Sequence, residues 1–495
     1  MRLMLSLIAA GLIAGIPCIT APCAAQEAAM PACEATPLTN AKACLYDPAA
    51  FADQAAPIPV GPGPHLFIDN FYIASADRLT REVQCPTRDA TIPNPIVTGK
   101  NDGCFQPYMT ILRRDDGRFR MWYGRRTEDA NTSRSLVGYT ESEDGVHWDR
   151  PARTLDMPGP IQFGVSVIDR GAACENPAER YVFGWYMDGG LKIAVSPDGL
   201  AWSYLAPDPV VRHNHDITSI FHDPVRARFV ATISVYRPGW WSGNRRVTMQ
   251  SSSRDLKIWG AAHYVLLPDP DRDEGETQFY AMDGYLARGG LIIGMAKILR
   301  DDLKADDPPD PPEAYGVGYT ALAWTRDGES WTRDTAPFFA PDPAPGAWDH
   351  AHAWIDDQVI VGDKVHLYYG GYARGHKVNR FEERQIGLVT IRRDRYVARR
   401  AGPEPGALRT PLIRLEGSAL TLNVDSRDGS VRVQCRDAAG LPVAGFTFDD
   451  CEPITADNTA APVTWPRNLD DIRSAPFSLE FELANASLYG FSVQE

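Results

Sequence analysis

Beyond residue 16 the sequence has no apolar run long enough to span a bilayer. It also lacks any long stretch with a 3.6-residue amphipathic period, which excludes a helical bundle. Its nine cysteines show none of the paired spacing of a zinc site. Positive charge is in deficit: 50 Lys and Arg face 64 Asp and Glu, a net −14, which disfavours nucleic acid and anionic membrane as partners. What is present at the start is an export signal: Arg2, an apolar run from Leu3 to Ile16, and small residues up to Ala24-Ala25 before Gln26. Residues 1–25 are therefore expected to be removed, giving a secreted or periplasmic protein in which disulfides are permitted. Cys33 with Cys44 and Cys435 with Cys451 are the expected pairs.

One turn recurs with constant internal spacing. It reads Ser-Glu-Asp-Gly-Val-His-Trp at 142–148, Ser-Pro-Asp-Gly-Leu-Ala-Trp at 196–202, Ser-Arg-Asp-Leu-Lys-Ile-Trp at 253–259 and Thr-Arg-Asp-Gly-Glu-Ser-Trp at 325–331, with a degenerate copy at Arg392–Tyr396. Asp-Gly favours a tight hairpin, because Gly accepts positive φ and Asp bonds its own backbone; the Trp that follows covers the sheet edge. Two short β-branched or aromatic runs precede each turn, and the copies lie 54 to 72 residues apart, a period that suits a four-stranded unit. The prediction is an all-β chain: a five-bladed β-propeller over 65–400 after an irregular leader at 26–64, followed by a C-terminal β-sandwich at 401–495. His65–Ala74 is expected to close the ring by joining the last blade.

In a propeller the first strand of each blade lines a central funnel, so polar residues at the blade starts converge. Those starts hold Asp102 before Gln106, then Ser166, then His213, His215 and Asp216, then Glu276, then Asp349, His350 and His352. Trp240 and Trp241 lie in a Gly-rich insertion, where an indole can stack on a sugar ring or simply pack at the edge.

With these residues in place, the chain resembles the five-bladed propeller glycosidases of glycoside hydrolase families 32, 43, 117 and 130, and a bacterial "family 32 N-terminal-like" group. The resemblance rests on His65-Leu66-Phe67-Ile68-Asp69-Asn70, Phe119-Arg120-Met121-Trp122-Tyr123, Leu367-Tyr368-Tyr369-Gly370-Gly371 with His376, Ile386-Gly387-Leu388, Arg392-Arg393-Asp394 and Leu420–Asp425. It implies a glycoside hydrolase acting on a polysaccharide or oligosaccharide, with Asp102 as base or nucleophile, Asp216 as the tuning carboxylate and Glu276 as acid. Two carboxyls are needed because one protonates the leaving oxygen while the other attacks or activates water. Gln106, His215, Asp349, His350, His352, Trp240, Trp241, Arg374 and His376 are the expected substrate-binding residues. No cofactor is required; a structural Ca2+ in the funnel is what the resemblance allows, and it fixes no oligomeric state.

The resemblance is incomplete. The Trp-Met-Asn-Asp-Pro and Arg-Asp-Pro motifs of the sucrose-type enzymes are missing, and Gln278 sits where an acid is expected. Three alternatives remain: a glycoside phosphorylase, with phosphate held by Arg374, His376 and Lys377 or by Arg245 and Arg246; a sialidase, which needs an Arg triad and the extra residue of Ser-x-Asp-x-Gly-x-x-Trp that these turns lack; and a carbohydrate-binding propeller without catalysis.

Overall fold

The computed structural model describes residues 43–45, 56–305 and 316–494. The proposed signal segment and Cys33 lie outside them. The chain is all-β, with one four-residue α-helix among the described residues, Gly99–Asp102, and short 3-10 turns. Among the described residues no helix is long and apolar enough to cross a membrane.

Five sheets follow one another along the chain. The first contains Cys104–Arg113, Phe119–Arg125, Leu136–Ser142 and Arg153–Leu155, paired antiparallel in sequence order. The second contains Phe163–Asp169, Tyr181–Tyr186, Gly190–Ser196 and Ser203–Tyr204, and the third Thr218–Asp223, Arg228–Pro238, Asn244–Ser253 and His263–Leu266. The fourth contains Thr277–Arg288, Leu291–Arg300, Val317–Thr325 and Trp331–Arg333, with Ala43–Leu45 parallel at its outer edge. The fifth has three full strands, His352–Val361, Lys364–Tyr372 and Gln385–Arg392, and a single parallel bridge, Gly318 to His352, links it to the fourth.

The first strands of these sheets neighbour one another in cyclic order, the fifth against the first. They are fastened by side chains that bond the backbone of the next strand. Thr110 Oγ1 donates to Val165 O at 3.2 Å and accepts from Val167 N at 3.0 Å. Ser166 Oγ donates to Ile220 O and accepts from Ile220 N, both at 2.9 Å. Ser219 Oγ donates to Met282 O at 3.3 Å, Gln358 Nε2 donates to Gly284 O, and the carboxylates of Asp356 and Asp357 accept from Met109 N at 2.5 Å and Ile111 N at 2.6 Å. Splayed strands leave buried N–H and C=O groups unpaired, and these side chains supply the missing partners.

The repeated turns occupy the corner between the third and fourth strands of the first four sheets. In each, the Ser or Thr oxygen accepts from the residue three positions on at 2.9 Å: Gly145, Gly199, Leu256 and Gly328. Those four residues all have φ between 66° and 77°, which Gly adopts freely and Leu256 does not. Each turn docks on the preceding sheet: Tyr368 Oη donates to Gly145 O, Trp122 Nε1 to Gly199 O and Arg228 Nη2 to Gly328 O, at 2.8, 2.9 and 2.7 Å. Leu256 lies in the core shared by sheets two and three. In the fifth sheet Arg288 pairs with Asp394 of the degenerate copy.

Val211–Arg212 also joins the second sheet, Ile58–Val60 pairs in parallel with Ile413–Leu415, and the remaining strands form a separate layered unit of two sheets. One sheet orders Asp457–Pro462, Ala419–Asp425, Ala486–Gln494, Val397–Ala401 and Thr80–Val83, with Gly63–Leu66 also on Ala486–Gln494. The other orders Ser430–Arg436, Ser478–Ala484, Gly406–Arg409 and Ser75–Asp77. Phe67, Leu422, Phe481 and Phe491 are among the side chains buried in their common core.

Two expectations are corrected here. Gly63–Leu66 joins the C-terminal strands rather than the last blade, because His65, Phe67 and Tyr72 pack against Phe491 and Phe481. The outer edge of the fifth sheet is met instead by the bridges Thr87 to Thr390 and Val97 to Ile386. Cys435 and Cys451 are free buried thiols, and Cys451 Sγ accepts from Val433 N at 3.3 Å. Cys44 lies in a described strand, but its pairing with Cys33 falls outside the described residues.

Replacing Ser166 by Ala strands the N–H and C=O of Ile220 in the interior. We expect a loss of about 1–3 kcal/mol, read as a lowered urea midpoint with an unchanged m-value.

Candidate functional site

At the end of the ring where the first strands begin, a cavity of about 190 Å3 is lined by Gln106, Tyr108, Phe163, His215, Asp216, Arg246, Tyr280, His376, Lys377, Arg380 and Arg384. Three kinds of element build it. Gln106, Tyr108, Phe163 and Tyr280 project from first strands, and His215 and Asp216 from the segment leading into Thr218–Asp223. Arg246 stands on Asn244–Ser253, while His376 to Arg384 belong to the connection between Lys364–Tyr372 and Gln385–Arg392.

Asp216 is the one carboxylate among these lining residues. Its Oδ1 is buried and has no hydrogen-bond partner, although His215 Nε2 lies 3.3 Å away. That nitrogen accepts from Arg246 Nε at 3.0 Å, so it carries no proton, and the proton of His215 sits on the buried, unpartnered Nδ1. Burial raises the Asp216 pKa above the usual carboxylate value, and Arg246 opposes the rise. Burial also drives the pKa values of His215 and His376 well down, helped by Arg246 and, for His376, by Arg384, so both are neutral.

The cationic wall is rigid at one point and open at others. Arg384 donates to His376 O at 2.7 Å, Gln106 Oε1 at 3.2 Å and Phe105 O at 3.4 Å, which leaves its buried Nε without a partner. Gln106 Nε2 is likewise buried and unpartnered. Arg246 Nη1 donates to Gln278 Oε1 at 2.7 Å, and Gln278 Nε2 donates to Asp301 Oδ2 at 2.6 Å. Arg380 and Lys377 donate to no carbonyl or side chain among the described residues. In the cavity wall, Tyr280 meets His376 Nε2 at 2.9 Å and stacks on Trp354 behind it at 4.7 Å.

Of the expected site residues, the cavity gathers Gln106, His215, Asp216 and His376, and from the phosphate candidates Lys377 and Arg246. Of the expected carboxylate trio, only Asp216 lines the cavity. Asp102 closes the Gly99–Asp102 turn, accepting from Thr98 N at 2.8 Å and from Arg150 Nε at 2.8 Å. Glu276 is exposed outside the cavity. Asp349 is taken up by Arg88 and Tyr369, both at 2.9 Å. His350 is bonded through Nδ1 to Asp342 O at 2.7 Å and through Nε2 to Ala305 O at 3.0 Å. His352 is buried behind the wall between Trp354 and Tyr372. Arg374 pairs with Glu383, Trp240 donates to Pro268 O at 3.0 Å, and Trp241 packs against its neighbour's edge. Sequence reasoning missed Tyr108, Phe163, Tyr280, Arg380 and Arg384. The signal for the last two was the density of cations from Arg374 to Arg384 in one connection.

A second cavity, of about 260 Å3, lies farther along the same first strands and contains Asp283, Asp356 and Asp357. Lys297, fully buried, contacts Asp283 at 2.6 Å and also Asp356. Its ammonium stands where a cation would have to sit, so these carboxylates do not fit a bound Ca2+. No group of three or more His, Cys, Asp or Glu among the described residues is placed to hold a metal ion.

No family model matches the chain. Two curated relatives, the uncharacterised proteins MT1551 and Rv1502 from two strains of Mycobacterium tuberculosis, are 32% identical over 105 residues, 19% of this chain. The chain spans 32% of the length of those relatives. Solved structures with a similar course include a glycosyl hydrolase from Bacteroides ovatus, at 15% identity, 64% coverage of this chain, 96% of that one and a TM-score of 0.42. A β-1,2-mannobiose phosphorylase from Listeria innocua gives 13%, 60%, 95% and 0.39. Superpositions at this level carry no argument about the cavity's chemistry.

Burial and nearby Asp283 push Asp357 up to about 7. A folded pKa above the unfolded one contributes stability that is present below the unfolded value, near 3.8, and is lost as pH rises through 7. The difference in unfolding free energy between the wild type and Asp357→Asn should therefore shift against the wild type between pH 4.5 and 8, checked by urea titration at each pH.

Proposed function

We propose that the chain is a carbohydrate-active enzyme that cleaves a glycosidic bond, with Asp216 donating the proton to the leaving oxygen. The observation that carries this reading is the half-buried carboxyl of Asp216, whose Oδ1 is enclosed without a hydrogen-bond partner and whose pKa burial raises, in a cavity with aromatic walls. A volume of about 190 Å3 is below the roughly 300 Å3 at which drug-sized pockets begin, which supports capture of one terminal sugar unit rather than a chain passing through. In this reading the five cyclic sheets are the blades of a propeller, the C-terminal sheets form a bracing sandwich, and the N-terminal segment directs export.

Water is the attacking group in the first form of the proposal, which makes the protein a glycoside hydrolase. A second form, phosphorolysis, is favoured by one observation: the cavity wall has four cations and no second carboxylate, and an anionic nucleophile needs no base.

Asp216→Asn keeps the size of the side chain and removes its proton. Turnover of a glycoside found in a panel screen should fall by roughly 10² to 10⁴ with folding intact. Because the acid must be protonated, the wild-type rate should decline as pH rises through the elevated pKa of Asp216. Running the panel with and without inorganic phosphate separates the two forms, and wild-type rates in the variant would remove Asp216 from the mechanism.

A further inference from the structure

The cavity's charges do not balance internally. Arg246, Lys377, Arg380 and Arg384 bring four positive charges, both histidines are neutral, and Asp216 offers at most one negative charge in return. Asp301 offsets Arg246 in part, at 3.4 Å, from outside the lining. Clustered cations without counter-charge repel one another, and burial together with Arg384 already lowers the pKa of Arg380. Two buried donors, Arg384 Nε and Gln106 Nε2, have no acceptor. Side chains this buried are normally satisfied, and an oxyanion seated in the cavity would supply both acceptors.

We propose that the cavity takes an acidic sugar, a glycuronic acid unit, whose carboxylate is held by Arg380 and Arg384 with Arg246 alongside. The inference rests on the proposal of glycoside cleavage and names its substrate class. A carboxylate is planar and matches the planar guanidinium fork, and three of the four cations are arginines. Tyr108, Phe163 and Tyr280 supply aromatic surface for the ring in the same space. An oxyanion is the shared requirement of a uronate and of free phosphate. The small volume favours the uronate, because its carboxylate is part of the sugar and needs no separate room beside it.

The test uses the full chain carrying Asp216→Asn, so that nothing is turned over during calorimetric titration. Methyl glucuronoside and galacturonic acid are compared with methyl glucoside, galactose and inorganic phosphate. A uronate should bind about 10- to 100-fold more tightly than its neutral counterpart, as expected for a charge-assisted contact. Adding Arg380→Ala should abolish that preference; this side chain donates to no group among the described residues, so the fold should survive. Arg380→Lys keeps the charge and loses the fork, and should recover only part of the preference.

Equal affinity for acidic and neutral sugars overturns the proposal. So does phosphate that binds more tightly than any uronate and is required for turnover by the wild type. Uronate binding by a protein that cleaves no glycoside keeps the ligand class and removes the glycosidase reading. Cleavage of neutral glycosides alone, unchanged by Arg380→Ala, keeps the glycosidase reading and removes the ligand class.

Discussion

The bonds that the rest of the structure depends on are those between neighbouring first strands. Strands that fan around an axis cannot share a continuous ladder, so their buried backbone groups need other partners. Thr110, Ser166, Ser219, Gln358, Asp356 and Asp357 provide them at all five junctions. Ser166 illustrates the consequence. It stands among the polar blade starts, and its hydroxyl is fully used in joining sheet two to sheet three.

The same junctions separate the axis into two electrostatic regions. Toward the start of the first strands the walls are cationic around one carboxyl, Asp216; farther along, three carboxylates gather around one ammonium, Lys297. Asp356 and Asp357 serve both structure and charge, since they accept backbone N–H groups of sheet one while facing Lys297. Lys297 is in direct contact with two of those carboxylates. At the cationic end Lys377 and Arg380 pair with no carboxylate among the described residues, and the proposed ligand site rests on that contrast.

Much of the fold was legible because its signals are local. The Ser-x-Asp-Gly turn specifies its own hydrogen bonds, and all four full copies make the same ones. The third copy keeps the geometry with Leu256 at positive φ, so the Ser and Asp bonds outweigh the strain of a non-Gly residue there. Of the candidate residues read from sequence, Asp216, His215, Gln106 and His376 line one cavity, and each stands near a strand start or a recognisable motif.

Sequence alone determined the strands, the repeated turns and the polar starts of the sheets, since these depend on periodicity and on bonds within a few residues. Only the tertiary structure decided which of those polar residues share a cavity. Asp102 and Asp349 were diverted by arginines 48 and 261 residues distant, and Gly63–Leu66 by a strand near the C-terminus. Arg380 and Arg384 meet Asp216 only because the ring brings the fifth sheet's connection beside the third. The physical reason is that charge pairing and desolvation depend on distance in space, which a linear order of residues does not contain.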